Sequence, residues 1–183
     1  MSNPHVSTVP STGRMAARTL VTSMLIFGAI MLVLGPRAWS GLGAALASSH
    51  LHAPSLDLIA AAPAAIQIHL WTVLAAFALA TIQMAAPKGT TTHRILGWSL
   101  ATLFLATAID SLFIRNPAGG LFNPFQLFSV WVLIGIPLAV LSVKRGNVAF
   151  HARMMTGFYV GSLIIAGALT FMPGRLMWRV FFG

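Results

Sequence analysis

Long apolar runs separated by short polar segments make up most of this sequence. The hydrocarbon core of a bilayer requires about 20 apolar residues per helix. Five segments approach that length, and Pro or Gly residues flank most of them: 19–35, 64–86, 94–114, 124–143 and 152–172. The pattern therefore predicts an all-α integral membrane bundle of five transmembrane helices.

The polar stretches predict the remaining organisation of the chain. Residues 1–18 are expected to form a polar cytoplasmic tail, and residues 176–183 a short outer tail. Residues 36–63 are rich in Ala and Leu, which predicts one or two short interfacial helices interrupted by Pro54. Residues 64–175 are expected to form a four-helix membrane bundle.

The distribution of cations predicts the orientation of the chain. Lys and Arg accumulate on the cytoplasmic side of membrane proteins. With the N-terminus in the cytoplasm and the C-terminus outside, the outer cations are Arg37, Arg115, Arg175 and Arg179, and the cytoplasmic ones are Arg14, Arg18, Lys88, Arg94, Lys144, Arg145 and Arg153. This orientation, in a bacterial inner membrane, is the one we expect.

Composition excludes several classes of protein. Apolar residues make up 57% of the chain and charged residues 7%, against about 25% charged in soluble domains. A soluble or disordered chain is therefore excluded. The net charge of +9 does not indicate nucleic-acid binding, because the cations stand singly or in pairs at the ends of apolar runs. They are expected to contact anionic lipid headgroups. With no Cys, thiolate chemistry is excluded as well.

Asp110 is the first candidate for a functional residue. A carboxylate inside an apolar segment costs a few kcal/mol, so it usually has a partner or a function. His69 is expected at similar depth on the neighbouring antiparallel span, and Arg115, Gln126 and Arg37 near the same outer face. The group predicts a site for a proton, a quinone headgroup or a cofactor bound by His69. The alternative is a structural clamp between helices.

His93 and His151 are the second candidate. They stand at the cytoplasmic ends of the third and fifth predicted spans, where two facing imidazoles can bind a haem iron or a divalent metal. Both histidines are expected to precede their helices, so capping of the helices and headgroup contact are the alternatives.

Small residues recur at helical spacing in two spans. One stripe lies on the fifth span and contains Tyr159, Ser162, Ala166 and Thr170, and Gly157 and Gly161 of the same span form a close-contact motif. The other lies on the third span and contains Ser99, Thr102, Ala106 and Asp110. Both stripes are predicted to face the core of the bundle.

Four stretches resemble a bacterial family of small polytopic membrane proteins that is described only as predicted membrane proteins of unknown function. They are IQIHLWTVLAAFALATIQ, THRILGW, GLFNPFQLFSVWVLIGIPLAVLSVKRGNVAFHARMM and TFMPGR, and the resemblance covers about residues 64–175. Position by position it points to His69, His93, Arg94, Gly97, Asn147, His151, Arg153 and Arg175. The resemblance implies membrane insertion and no particular activity.

Three functions remain open at this point. The first is a non-catalytic accessory subunit of a larger respiratory or photosynthetic membrane complex, because the sequence contains no catalytic motif. The second is a small redox-linked protein that binds haem through His93 and His151, or a quinone or pigment near His69 and Asp110. The third is a proton-coupled carrier that uses Asp110.

Overall fold

A computed structural model describes residues 13–14, 17–18, 20–21, 36–114 and 126–182, together with their side chains except at 36–39, 41 and 42. Every regular element in these ranges is helical. The first predicted span lies outside the described residues except for positions 20 and 21. Arg115 also lies outside them, and so does the side chain of Arg37.

Within residues 36–114 and 126–182, seven helices can be numbered in chain order. They are α1 (Pro36–Ser48), α2 (Leu56–Ala60), α3 (Ala64–Ala85), α4 (Thr91–Ser111), α5 (Gln126–Lys144), α6 (Val148–Leu169) and α7 (Leu176–Phe181). Two short helices on either side of Pro54 occupy residues 36–63, as the sequence pattern predicts. Their location at the membrane interface stays a prediction.

Three helices of the described ranges are long and apolar enough to cross a membrane: α3, α5 and α6. The helix α4 occupies the place of the third predicted span and is 21 residues long. It is not among the helices whose length and apolar composition together suit a membrane crossing. The chain is thus an all-helical protein with helices able to cross a membrane. The number of five spans and the direction of the chain stay predictions.

Two tight hairpins join the long helices at one end of the bundle, here named the hairpin end. Gly89 and Gly146 provide the turns with backbone φ angles of 77° and 80°, a region that favours glycine. The Lys88 ammonium donates hydrogen bonds to three carbonyls at the end of α3, those of Gln83, Met84 and Ala86. This contact satisfies acceptors that the helix itself leaves unpaired.

The long helices pack in a closed ring. The helix α3 contacts α4, α4 contacts α5, α5 contacts α6, and the middle of α6 contacts α3. Consequently α4 and α6 lie diagonally opposite each other across the ring. The shared core is made of alanine, larger aliphatic and phenylalanine side chains: Ala76, Ala80, Leu100, Ala101, Phe104, Ala108, Val132, Ile136, Phe158 and Leu163.

Close contact at the glycines of α6 is confirmed. The Trp131 ring lies against Gly157 and Gly161, where an added Cβ would come within 3.6 Å and 3.0 Å of the indole. The same ring packs on Phe158 with 4.8 Å between centroids. The glycine face of the fifth span therefore does face the core, whereas the predicted stripe does not as a whole, because Thr170 is exposed.

The prediction that the stripe on the third span faces the core is wrong for all of its members except Asp110, whose side chain is 16% exposed. Ser99, Thr102 and Ala106 are exposed, and the buried face of α4 consists of Leu100, Ala101, Phe104, Thr107 and Ala108. The Ser99 and Thr102 hydroxyls bond to carbonyls of their own helix. A hydroxyl that is satisfied in this way can face outward at little cost, so its polarity does not require the bundle core.

The middle of α6 departs from regular α-helical geometry. Residues Phe158–Ile165 form a π-helical segment between the α-helical parts Val148–Gly157 and Ala166–Leu169. π-helical turns are rare and often lie at functional positions. This segment carries Tyr159, which stacks on Phe77 of α3 with ring centroids 6.1 Å apart.

At the opposite end, here named the loop end, the segment before α3 pairs with the C-terminal segment. The amides of His52 and Ser55 donate to the carbonyls of Phe181 and Val180 at 3.1 Å and 3.0 Å. The helices α2 and α7 also contact each other. Both segments therefore lie at the end where α3 begins and α6 ends.

We expect Gly135→Ala to destabilise the bundle. A Cβ at position 135 would collide with the Phe158 ring and come within 2.9 Å of Met154 Cε, and overpacking of this kind costs about 1–3 kcal/mol. The measurement is the free energy of unfolding in mixed micelles. Gly167→Ala is the matched control, because nothing lies within 4 Å of its added Cβ. Equal effects of the two substitutions would contradict the packing of α5 on α6.

Cysteine labelling tests the topology directly, because the chain has no Cys of its own. We expect an impermeant maleimide to label Ser48→Cys and Phe171→Cys in intact spheroplasts, since both positions lie at the loop end. Thr92→Cys and Arg145→Cys, at the hairpin end, should react only after the membrane is opened. Labelling of all four variants from one side would refute the four-helix crossing.

Candidate functional site

Buried polar atoms concentrate in two groups at opposite ends of the bundle. The hairpin-end cluster consists of Gln83, His93 and His151, and the loop-end cluster consists of His69, Thr107 and Asp110. In the described part of the chain, the buried side-chain atoms that make no hydrogen bond are His69 Nδ1, Gln83 Oε1, His93 Nδ1, Thr107 Oγ1, Asp110 Oδ2 and Ser162 Oγ. Five of these six atoms belong to the two clusters.

The two histidines of the hairpin-end cluster do not precede their helices, so that expectation is wrong. His93 lies in the first turn of α4 and His151 in the first turn of α6. The residues that cap these helices are Thr90, whose hydroxyl accepts from the His93 amide, and Asn147, whose side-chain oxygen accepts from the Phe150 amide. Local capping chemistry thus leaves both imidazoles available for other contacts.

His151 has a fixed ring orientation. Its Nδ1 lies 2.9 Å from the carbonyl oxygen of Ala139 on α5. A carbonyl can only accept, so Nδ1 carries the proton, and in the neutral ring Nε2 keeps a free lone pair. This is the arrangement in which a backbone carbonyl orients a metal-binding histidine.

Gln83 places a buried amide beside His93. Its Nε2 donates to the His93 carbonyl at 2.9 Å, and the side chain is 7% exposed. Gly97, one turn after His93, allows this approach, because an added Cβ there would come within 3.3 Å of Gln83 Nε2. Oε1 of Gln83 and Nδ1 of His93 are both buried, and neither has a hydrogen-bond partner among the described residues.

The electrostatics of the hairpin end favour a neutral His93. Burial lowers the pKa of His93 below its ordinary value of 6.5, and Lys88 and His151 lower this pKa further. His93 lies in the first turn of α4 and His151 in the first turn of α6, so both lie at the same end of the bundle. A neutral imidazole is the form that binds metals.

The loop-end cluster joins α3 to α4. His69 Nδ1 lies 3.4 Å from Asp110 Oδ2, and the two side chains are 32% and 16% exposed. The distance is that of a close polar pair, but the geometry is not that of a hydrogen bond, since both atoms are without such a partner in the described chain. The structure thus brings these two predicted residues together.

Gln126 and its neighbours contribute differently. Gln126 Nε2 donates to the Leu112 carbonyl at 3.3 Å, which ties α5 to the end of α4. The Ser111 and Ser129 hydroxyls form a short hydrogen bond between the same two helices. Arg115 lies outside the described residues, and the side chain of Arg37 is not described, so neither can be placed relative to this cluster.

Two site residues were missed by sequence reasoning. Gln83 is a polar residue inside the apolar run 64–86. A polar side chain within an apolar run is a sequence feature that could have identified it. Thr107 had no such signal, since a Thr in an apolar helix normally bonds to its own backbone. Only the packing distinguishes Thr107 from Thr102.

An all-helical bundle with helices able to cross a membrane defines a polytopic membrane protein. The chain belongs to the DUF2306 family, described as predicted membrane proteins, whose family model matches residues 66–182. The family resemblance predicted from the sequence is thereby confirmed. No curated protein and no solved structure matches the chain.

Proposed function

We propose that this protein binds haem through His93 and His151 and serves as a small redox-linked membrane protein. The observation that carries the proposal is the pair of imidazoles at one end of the four-helix ring. The Ala139 carbonyl accepts a hydrogen bond from Nδ1 of one of them, His151. Bis-histidine ligation is a common way to hold haem iron. The haem, when bound, supplies one-electron redox chemistry.

The arrangement of helices supports this ligand. The histidines come from α4 and α6, which lie diagonally across the ring, and cofactor sites in helical bundles are built from side chains on facing helices. Gln83 on α3 and the Ala139 carbonyl on α5 complete the layer, so each long helix contributes one group. The macrocycle is apolar and suits a bundle core.

The charges at the hairpin end support a haem as well. Arg94 follows His93 directly, and Arg153 follows His151 by two positions. Both arginine side chains are exposed, and each can pair with a carboxylate such as a haem propionate. In the orientation that the cation distribution favours, this end faces the cytoplasm.

The decisive test is the visible absorption spectrum of the protein purified in mild detergent from cells supplied with a haem precursor. We expect a Soret band and a stoichiometry near one haem per chain. His93→Ala and His151→Ala should each lose most of the haem, because a single axial ligand remains.

His50→Ala is the matched control for these variants, since His50 is exposed in the loop before α2. It should retain the full spectrum. Absence of a Soret band in the wild-type protein, both as purified and after incubation with haemin, would refute the proposal. Full haem content in both His93→Ala and His151→Ala would refute the assignment of ligands.

An accessory subunit of a larger membrane complex is the second candidate. It is supported by the exposed apolar side chains of α3, among them Ile68, Trp71 and Ile82. Of the 22 residues of α3, only Ala76, Ala80 and Gln83 are buried. A partner helix could cover this surface, and lipid covers it equally well, so the support is weaker. The carrier function rests on Asp110 alone and is the least supported.

Co-purification tests the second candidate. A tagged chain that assembles with partners should elute with them at constant stoichiometry in mild detergent. Trp71→Ala on the exposed face of α3 should reduce that recovery, whereas Val148→Ala, at the exposed start of α6, should not. A monodisperse chain without partners would contradict an accessory role.

A further inference from the structure

We propose that the loop-end cluster binds the headgroup of a lipid-soluble quinone. Thr107 Oγ1, His69 Nδ1 and Asp110 Oδ2 are buried at the loop end and make no hydrogen bond among the described residues, although the last two lie 3.4 Å from each other. Buried polar groups are nearly always paired, so a group of unpaired ones indicates a missing ligand or water. This inference is independent of the haem proposal.

Thr107 differs from three other threonines of α3 and α4. Thr72, Thr81 and Thr102 each donate to the carbonyl four residues earlier, at 2.8–3.0 Å. Thr107 is 9% exposed, and its hydroxyl makes no such bond within the described chain. Its oxygen is therefore free to bind a group in the interior.

Ser162 Oγ on α6 is a fourth buried atom without a hydrogen bond in the described chain, and it lies at a similar depth. The stacking of Phe77 on Tyr159 sets the register of α3 against α6, which are antiparallel, so Ser162 is level with position 74. The pairing of His69 with Asp110 makes Thr107 level with position 72. With a rise of 1.5 Å per residue, the two hydroxyls differ in depth by about 3 Å.

Access to the cluster is from the hydrocarbon region. The His69 side chain is 32% exposed, and it belongs to an apolar helix whose side chains on other faces of the same turn, Ile68 and Trp71, are 53% and 62% exposed. A ligand that reaches His69 by this route must dissolve in the bilayer. Its polar part must be small enough to fit between apolar helices.

Quinone chemistry matches the donors and acceptors of the cluster. A quinone has two carbonyl oxygens on opposite sides of one ring, and these accept from an imidazole N–H and from a threonine or serine hydroxyl. The reduced ring has two hydroxyl groups, one of which can donate to Asp110. Its isoprenoid chain remains in the lipid, as the exposed side of His69 requires.

Tryptophan fluorescence in nanodiscs with increasing mole fractions of decylubiquinone tests the proposal. We expect a saturable quenching component from Trp71, two positions from His69, above the linear quenching that dissolved quinone causes. Thr107→Val and Asp110→Asn should each weaken the apparent affinity about tenfold, which corresponds to about 1.4 kcal/mol. Both substitutions nearly preserve side-chain volume.

Thr102→Val is the matched control, because it removes an exposed hydroxyl from the same helix, and it should leave the affinity unchanged. The affinity should also be the same in protein purified with and without added haem precursor, which separates this site from the haem proposal. Thermal denaturation of each variant verifies folding. If the cluster holds only water, the wild-type protein shows no saturable component, and the proposal is refuted. Equal affinities of Thr107→Val, Asp110→Asn and wild type would refute it too.

Discussion

Polar atoms inside an apolar bundle must find partners within the protein, because the hydrocarbon around them offers none. Most polar side chains of the long helices meet this requirement by bonding to backbone carbonyls close to them in sequence. Helix hydroxyls bond to carbonyls one turn back, and Lys88 covers the carbonyls at the end of α3. The exceptions concentrate in the two clusters. An unpaired buried group costs about 1–3 kcal/mol, so several together are more informative than any one of them.

The long apolar runs predict much of the fold because their length and their Pro and Gly boundaries are properties of single segments. The helix bounds of α3 and α5 follow from them closely. Which face of a helix is buried depends on its neighbours, and here the prediction for α4 was wrong. Ser99 and Thr102 satisfy their own hydroxyls, so they need no interior position, and the larger Leu100 and Phe104 fill the core instead.

The candidate sites were predictable to the extent that charge and depth determine them. The pairing of His69 with Asp110 follows from two antiparallel helices joined by a short hairpin. The contact of His151 with the Ala139 carbonyl does not follow from any sequence pattern, because it depends on how α5 approaches α6. The two clusters are separated along α4 by 17 residues, or about 25 Å, so a ligand in one does not touch the other.

The π-helical segment at the centre of α6 has a geometry that can absorb the loss of one residue. Each π turn holds about one residue more than an α turn. Deleting one residue within Phe158–Ile165 would let the segment relax to α geometry while both flanking parts keep their orientation. The same deletion elsewhere in α6 would rotate everything beyond it by about 100°. A change of one residue in length is thus easier to accommodate at the centre of this helix than near its ends.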